Sequence, residues 1–180
     1  DLEMTIRSGV GKLTSIAWDA GMLSALGADH RVRAWNETTG NLVATWGDAS
    51  IPMHSYSLVS QGEFACLGAA GSRLLAWRHD GSCVVRDLGT PITCIALSPS
   101  ARVCIVGLRE GASFAFLADS WELVGGHEGP SSVSSAILFD DDVALSCYGG
   151  LSATLVRWRT SSGAEIERFA DPHHLRHFYW

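Results

Sequence analysis

Long hydrophobic runs are missing from this sequence of 180 residues. Its longest apolar stretches have the length of a β-strand, well short of the ~18 residues that a membrane-spanning helix needs. Charge is scarce too: Asp, Glu, Lys and Arg make up 18 % of the chain, and the formal net charge is −6. A mildly acidic chain lacks the basic patch typical of a dedicated nucleic-acid-binding protein. We therefore expect no membrane insertion and no direct binding of nucleic acid.

Cysteine pairs at metal-binding or disulfide-framework spacing are also absent. The five cysteines are an odd number, and no two of them form a CxxC motif. A small secreted scaffold or a zinc site would show better spacing. We expect reduced thiols in a hydrophobic core. Because no apolar signal segment follows Asp1, we also expect an intracellular, cytoplasmic protein that is either processed or part of a longer chain.

Glycine and tryptophan are plentiful, with 19 and 7 residues, while proline occurs only 5 times. Turns marked by glycine and many large aromatic residues favour an all-β chain. A similar motif is closed four times by an aromatic residue, at Trp35, Trp77, Phe116 and Trp158, with spacings of 42, 39 and 42. Short apolar stretches begin at Leu13, Met53, Ile92, Val133 and Leu175, with spacings of 40, 39, 41 and 42. Two registers with one period indicate internal repeats.

Each repeat reads as four short strands joined by hairpin-length links. The first repeat gives Leu13–Trp18, Met22–Gly27, Arg31–Trp35 and Asn41–Trp46. The third gives Ile92–Leu97, Arg102–Gly107, Ala112–Phe116 and Ser120–Val124. The second strand of the third repeat, Arg102–Gly107, is apolar on both faces, whereas the fourth strand of the last repeat, Ala164–Phe169, alternates with charged residues. This pattern predicts sheets that are stacked between other sheets, with their outer strands half in water.

These residues resemble the WD40 β-propeller family. The segment from Asn36 to Gly40 is similar to the family's WD-x-x-T-G turn, Gly126-His127 to its Gly-His pair, and Asp29 stands six residues before Trp35, where the family has a structural Asp. The resemblance implies an all-β fold, a β-propeller of four-stranded antiparallel blades, with about four blades in this chain. It also implies a set of structural blade anchors, namely Trp35, Asp29, Trp77, Phe116, Trp158, His127 and Ser146. No repeat keeps the family's full set of His, Ser or Thr, Asp and Trp, and Phe116 has no N–H to donate.

The repeats divide the chain into successive blades. The expected units are 1–12 (outer strand of a preceding blade and linker), 13–48, 49–89, 90–129 and 130–172 (blades one to four), and 173–180 (first strand of a following blade). Leu2–Ile6 and Leu175–Trp180 each match one strand of a blade whose other strands are missing. We expect an open arc that is part of a larger propeller, with the remaining blades from the same or another chain.

Motifs for catalysis or cofactor binding are incomplete. The segment from Gly9 to Leu13 contains Gly-Lys but lacks the preceding glycine and following Ser or Thr of a phosphate loop. His173, His174 and His177 lack a completing Cys or carboxylate at zinc-site spacing. Asp29-His30 has no nucleophile elbow near it. The sequence therefore predicts no catalytic residues, no cofactor and no metal, and we expect that the protein is not an enzyme.

Loops at the ends of the blades are the natural place for function on such a scaffold. The candidate partner-binding rim consists of His30, Asp48, Arg109, Glu110, Glu128, Tyr148 and His173. We expect a non-catalytic WD40-type scaffold that mediates protein–protein interactions with other subunits of a larger intracellular complex. Two alternatives stay open: a propeller enzyme or small-molecule sensor that uses the central channel, with His54 or Lys12 as its chemistry, and an RNA-associated assembly scaffold.

Overall fold

The structure is a computed structural model that describes residues 11–19, 21–58, 64–149 and 153–170. Within these ranges the chain is all-β, with four four-stranded antiparallel sheets and no helix. The strands of sheet 1 are β1 (Leu13–Asp19), β2 (Met22–Gly27), β3 (Val32–Asn36) and β4 (Leu42–Trp46), and those of sheet 2 are β5 (Ser55–Leu58), β6 (Phe64–Ala70), β7 (Arg73–Arg78) and β8 (Cys83–Asp87). Sheet 3 contains β9 (Ile92–Leu97), β10 (Val103–Leu108), β11 (Ala112–Leu117) and β12 (Leu123–Glu128), and sheet 4 contains β13 (Val133–Leu138), β14 (Val143–Tyr148), β15 (Thr154–Arg159) and β16 (Glu165–Ala170). The predicted four-stranded antiparallel units are confirmed.

Every sheet is a meander in which strands that follow each other in the chain pair with each other. Tight turns make this possible, and the turn between β3 and β4 shows how. The side-chain oxygen Oδ1 of Asn36 accepts hydrogen bonds from the backbone N–H groups of Thr38 and Thr39, at 3.0 and 2.8 Å. Gly40 then takes a φ of 69°, which glycine adopts without steric cost. The segment that resembles the family's turn therefore closes a hairpin.

Three hydrophobic cores join the sheets in chain order. The first core combines residues of sheets 1 and 2, including Leu26, Val32 and Trp77. The second joins sheets 2 and 3, with Leu74, Ile95 and Phe116 among its members. The third joins sheets 3 and 4, with Ile105, Val156 and Trp158. The first strands of successive sheets (β1, β5, β9 and β13) lie next to each other. Each inner sheet is thus buried on both faces, which explains its apolar second strand.

The four repeat-closing aromatic residues occupy equivalent places in the third strands. Trp35, Trp77, Phe116 and Trp158 lie on β3, β7, β11 and β15, and all four are buried. Trp77, Phe116 and Trp158 belong to the cores that their sheets share with the preceding sheet. Trp35 lies on the corresponding face of sheet 1. These four residues therefore occupy one equivalent position in each sheet, which explains their regular spacing in the sequence.

One expected strand is placed differently. The fourth strand of the third repeat was predicted at Ser120–Val124, but the paired segment is β12, Leu123–Glu128. The turn before it has five residues, the same length as the corresponding turns of sheets 1 and 4, so the prediction made it too short. Trp121 takes a positive φ of 58° where those turns have Gly40 and Gly163, and its carbonyl oxygen accepts a hydrogen bond from Arg86 Nη1 at 2.6 Å. As a result, Gly126 and His127 lie within an outer strand and not in the link to the next sheet.

The two end sheets expose apolar side chains. On β1, Ile16 and Trp18 are 68 and 72 % exposed. At the other end, Ile137 and Phe139 are 48 and 53 % exposed. Among the described residues, hydrophobic cores join sheets 1 and 2, 2 and 3, and 3 and 4, but none joins sheet 4 to sheet 1, so these four sheets do not form a closed ring. The expected strands Leu2–Ile6 and Leu175–Trp180 lie outside the described residues.

Candidate functional site

An exposed rim is formed where the links between sheets meet the turns between second and third strands. Backbone hydrogen bonds tie the two kinds of loop together: Ile92 N–H donates to Gly71 O at 2.8 Å, and Arg109 N–H donates to Pro91 O at 3.0 Å. Gly149 N–H donates to Ser132 O in the same way, at 2.8 Å. The turns and links of all four sheets therefore lie along one edge of the stack.

His30 and Asp48 are held in place on this rim. His30 has a positive φ of 61°, and its ring nitrogen Nδ1 lies 3.3 Å from the carbonyl oxygen of Met53 in the link to sheet 2. Asp48 is exposed, and its Oδ1 accepts the backbone N–H of Ser50 at 2.8 Å. This hydrogen bond holds the pKa of the Asp48 carboxyl below its ordinary value. Both side chains are polar, ordered by local contacts and accessible to a partner.

Asp29 organises the turn between β2 and β3. Its carboxylate accepts two hydrogen bonds from the guanidinium of Arg33, at 3.1 and 2.6 Å, and one from the backbone N–H of Arg31 at 3.4 Å. The pKa of Asp29 is lowered, chiefly by the hydrogen bond from Arg33, and the pKa of Arg33 is raised by the same contact. A bidentate pair of this kind fixes geometry as well as charge. Asp29 thus acts within its own turn.

Arg109 and Glu110 lie at the tip of the turn between β10 and β11, and both are exposed. No side-chain hydrogen bond joins either of them to another residue in the described ranges, although the Arg109 backbone is fixed by Pro91. Glu128 is exposed at the end of β12. The next residue, Gly129, donates its N–H to Gly111 O at 2.9 Å, which brings the three charged side chains into one region of the rim.

One member of the predicted rim is buried instead, and another lies outside the described residues. Tyr148 is completely buried, at 0 % exposure, in the core between sheets 3 and 4. The alternation along β14 explains this, because Ala144, Ser146 and Tyr148 share the face turned towards sheet 3. The prediction of Tyr148 as an exposed rim residue is therefore wrong. His173 lies outside the described residues.

A buried polar cluster lies at the same interface between sheets 3 and 4. The indole nitrogen Nε1 of Trp158 donates to Ser146 Oγ at 3.0 Å, and that hydroxyl is 2.9 Å from Ser113 Oγ on sheet 3. The ring of His127 stacks on Trp158, with centroids 5.9 Å apart and planes inclined by 24°. His127 Nδ1 lies 3.2 Å from Gly163 O. The cluster therefore links two strands of each sheet through polar contacts.

The tautomer of His127 follows from its partner. A carbonyl oxygen only accepts hydrogen bonds, so Nδ1 carries the proton and Nε2 is an acceptor in the neutral ring. Nε2 of His127 and the hydroxyl of Tyr148 are buried without a hydrogen-bond partner among the described residues. Burial raises the pKa of Tyr148, an effect that the nearby Ser113 and Ser146 reduce. The phenol of Tyr148 is therefore protonated at neutral pH.

The sequence singled out His127, Ser146 and Trp158, and the structure brings these three together. It missed Ser113 and Gly163, because they contribute across the sheet interface and belong to no repeated motif. A further contact of this type joins Ser24 Oγ and the Tyr56 hydroxyl at 3.1 Å between sheets 1 and 2. In the sequence, only the alternation of residues along β2 and β5 could have indicated that these two side chains point into the same interface.

The cysteine thiols and acidic groups offer little chemistry. All five cysteines are free. Burial raises the pKa of Cys94 to about 11 and that of Cys104 to about 12, so both are protonated thiols at neutral pH. Across the described ranges, no group of three His, Cys, Asp or Glu side chains is placed to hold a metal ion. His54, one of the two candidates for channel chemistry, uses Nε2 for a 2.8 Å contact with Ile92 O.

No family model matches the chain, and no curated protein matches it significantly. The described residues also include no helix long and apolar enough to cross a membrane.

Proposed function

We propose that the chain is a segment of a WD40-type β-propeller that serves as a non-catalytic scaffold for protein–protein interactions. The observation that carries this proposal is the stack of four equivalent four-stranded sheets with adjacent first strands. In a propeller, first strands surround a central axis and the outer strands face solvent. The repeat period of the sequence and the positions of Trp35, Trp77, Phe116 and Trp158 support the same arrangement.

The rim supports the scaffold role within this proposal. Arg109, Glu110, Glu128, His30 and Asp48 present both signs of charge on rigid loops along one edge. Mixed polar loops of this kind suit a protein or peptide partner with complementary charges. Other subunits of an intracellular assembly are the proposed partners. The 2.8 Å contact of His54 Nε2 with the carbonyl oxygen of Ile92 leaves the channel-enzyme alternative without specific support.

A peptide-display selection tests this proposal. Peptides from a random displayed library would be selected on the immobilised 180-residue chain, and their affinities measured for the wild type and the double variant Arg109→Glu, Glu110→Arg. We expect the rim variant to weaken binding at least about tenfold for most selected peptides, because complementary charges are reversed.

The control removes two charges on the opposite edge. Asp119→Asn with Glu122→Gln lies in the turn between β11 and β12, and we expect it to leave the affinities unchanged. Equal losses for rim and control variants, or a library that yields no binder while the chain is folded, would contradict a peptide-binding rim.

A further inference from the structure

The outer strand of sheet 2 differs from the outer strands of the other three sheets. The turn between β7 and β8 has four residues, whereas the equivalent turns of sheets 1, 3 and 4 have five. In those three sheets the register between the third and fourth strands shifts next to the aromatic residue, at Trp35, Phe116 and Trp158. β8 pairs with β7 in one unbroken register. A bulge bends a strand and increases its twist, so β8 is the described outer strand without this local bend.

The pairing register also identifies the backbone groups on the free edge of β8. One position beyond this strand, Leu88 N–H donates to Ser72 O at 3.0 Å. Directly opposite residues of antiparallel strands alternate between pairs that exchange hydrogen bonds and pairs that do not. The N–H and C=O groups of Cys83, Val85 and Asp87 therefore point away from β7. Because β8 is the last strand of its sheet, these groups face no further strand within the described residues.

This edge is accessible and has little protection. Cys83, Val85 and Asp87 are all exposed, and the exposed fraction of Val85 is 53 %. Bulges and charged side chains usually protect an edge strand from pairing with another chain. β16, for comparison, combines a bulge with three charged residues, Glu165, Glu167 and Arg168. On β8 the free-edge positions carry a charge only at the end, at Asp87.

The other charged residue of β8 is engaged by the neighbouring sheet. Arg86 Nη1 donates to Trp121 O at 2.6 Å, and the guanidinium carbon lies 5.5 Å from the centroid of the Phe116 ring. Both partners belong to the sheet 3 repeat, so this positive charge is directed away from the free edge. It also fixes β8 against sheet 3. A strand that is held in place in this way loses little conformational entropy when another strand pairs with it.

The side chains on this edge define the chemistry of a matching strand. Cys83, Val85 and Asp87 lie on one face of sheet 2, because successive residues of a strand alternate between its two faces. In an added antiparallel strand, the residues directly opposite these three are also two positions apart. A β-branched aliphatic residue pairs well with Val85, and a lysine or arginine pairs with the exposed carboxylate of Asp87.

We propose that the free edge of β8 binds an extended segment of a partner protein, which adds an antiparallel fifth strand to sheet 2. The segment carries a basic residue opposite Asp87 and a β-branched residue opposite Val85. Main-chain hydrogen bonds supply the affinity in this mode of recognition, and alternate side chains supply the selectivity. The site lies on the outer strand, away from the rim and from the faces that stack between sheets. It therefore goes beyond the proposed rim and is compatible with a propeller.

A titration of the ¹⁵N-labelled 180-residue chain with a short peptide tests this site by NMR. The probe is the capped peptide Thr-Lys-Thr-Val-Thr-Val-Thr, whose lysine pairs with Asp87 and whose first valine pairs with Val85. We expect saturable shifts of the β8 amide signals. N-methylation of the first valine removes the N–H that donates to Val85 O, so it should weaken binding at least about tenfold. N-methylation of the next threonine is the control, because its N–H points away from β8 and the affinity should not change.

Two variants of the protein test the same pairing from the other side. Val85→Pro removes an N–H that β7 does not use, and proline is tolerated on an edge strand at such a position, so the sheet should form and the peptide should bind more weakly. Asp87→Lys should weaken binding of the lysine peptide and favour a peptide with glutamate in its place. Asp119→Lys, on the exposed β11–β12 turn, is the control for this charge change and should bind as the wild type does.

The outcomes separate this proposal from the rim proposal. A wild type without saturable binding, or equal affinities for the two N-methylated peptides, would overturn strand addition at β8, and this peptide comparison does not depend on the folding of any variant. The rim variant Arg109→Glu, Glu110→Arg should bind the strand peptide as the wild type does. A failure of the rim experiment would therefore leave the result at β8 unchanged.

Discussion

Trp158 donates its indole N–H to the hydroxyl of Ser146 at 3.0 Å, across the hairpin of β14 and β15. Both side chains are completely buried against sheet 3. The equivalent partner positions in the other sheets are Ala25, Gly68 and Val106, which carry no hydroxyl. Only in sheet 4, among the described sheets, is the repeat-closing aromatic residue satisfied in this way. The interface between sheets 3 and 4 is therefore specified by polar contacts as well as by packing.

Replacing Ser146 tests how much this contact contributes. Ser146→Ala leaves the Trp158 N–H buried without its acceptor and removes the neighbour of Ser113, so we expect a loss of about 1–3 kcal/mol in the free energy of unfolding. Urea denaturation measures the change. Ser134→Ala is the control, because Ser134 is exposed and bonds only to Cys147 O, at 3.1 Å. Equal effects of the two substitutions would contradict a special role for the buried pair.

A second prediction concerns Gly107, where the backbone of sheet 3 lies close to a side chain of sheet 4. A Cβ atom added to Gly107 would lie 2.6 Å from Cys94 Sγ and 2.7 Å from Val133 Cγ1, and one added to Gly125 would collide with Thr160 O. We expect Gly107→Ala to lower the unfolding free energy by about 1–3 kcal/mol, because the core must shift to admit a methyl group.

Gly149→Ala provides the comparison for Gly107. The nearest atom to its added Cβ would be Ser134 Cβ at 3.5 Å, an ordinary contact. Thermal and urea unfolding should show almost no change for this variant. A Gly107→Ala protein as stable as Gly149→Ala would mean that sheets 3 and 4 are less tightly packed than their distances indicate.

Much of the fold could be predicted from the sequence. The alternation of apolar and polar residues shows which side of a strand faces the core, and the repeat gives the order of the strands. The repeat period alone predicts third-strand positions for Trp35, Trp77, Phe116 and Trp158, and all four lie on third strands. The error in the fourth strand of sheet 3 arose where a turn has no glycine. Trp121 takes the positive φ that glycine takes in the equivalent turns of the other sheets, so the sequence did not mark this turn, and β12 begins at Leu123 and includes His127.

The sites were harder to predict than the strands. Tyr148 was expected on the rim because the repeat assigned it to a loop between a second and a third strand, but it is the last residue of β14, and alternation with Ala144 and Ser146 places it on the buried face. In the aligned repeats, Arg157 stands where the other third strands have Ala34, Ala76 and Ala115. Only the pairing registers show which face of sheet 4 carries this arginine.

Cysteine reactivity should separate the thiols by burial. Cys83 is exposed and Cys147 is intermediate, whereas Cys66, Cys94 and Cys104 are buried, and burial raises the pKa of all three. We expect brief alkylation of the native protein to label Cys83 first and Cys147 more slowly, because exposure limits access to the thiolate. The other three should react only in urea. Peptide mass spectrometry assigns each site, and early labelling of Cys104 would contradict the buried core of sheet 3.

The ion pair of Asp29 and Arg33 predicts a pH-dependent part of the stability. The hydrogen bond from Arg33 lowers the pKa of Asp29 below its ordinary value of 3.8. The folded state therefore binds this proton less readily than the unfolded state, so the pair's contribution is fully present above 3.8 and is lost as the pH falls through the lower folded pKa. Asp29→Asn should be less stable than the wild type at neutral pH, and the difference should shrink in acid. Urea midpoints of both proteins between pH 7 and about pH 2 measure this, with Asp119→Asn on the exposed β11–β12 turn as the control. A difference that stays constant with pH would show that the substitution acts through packing or the turn backbone and not through the carboxylate charge.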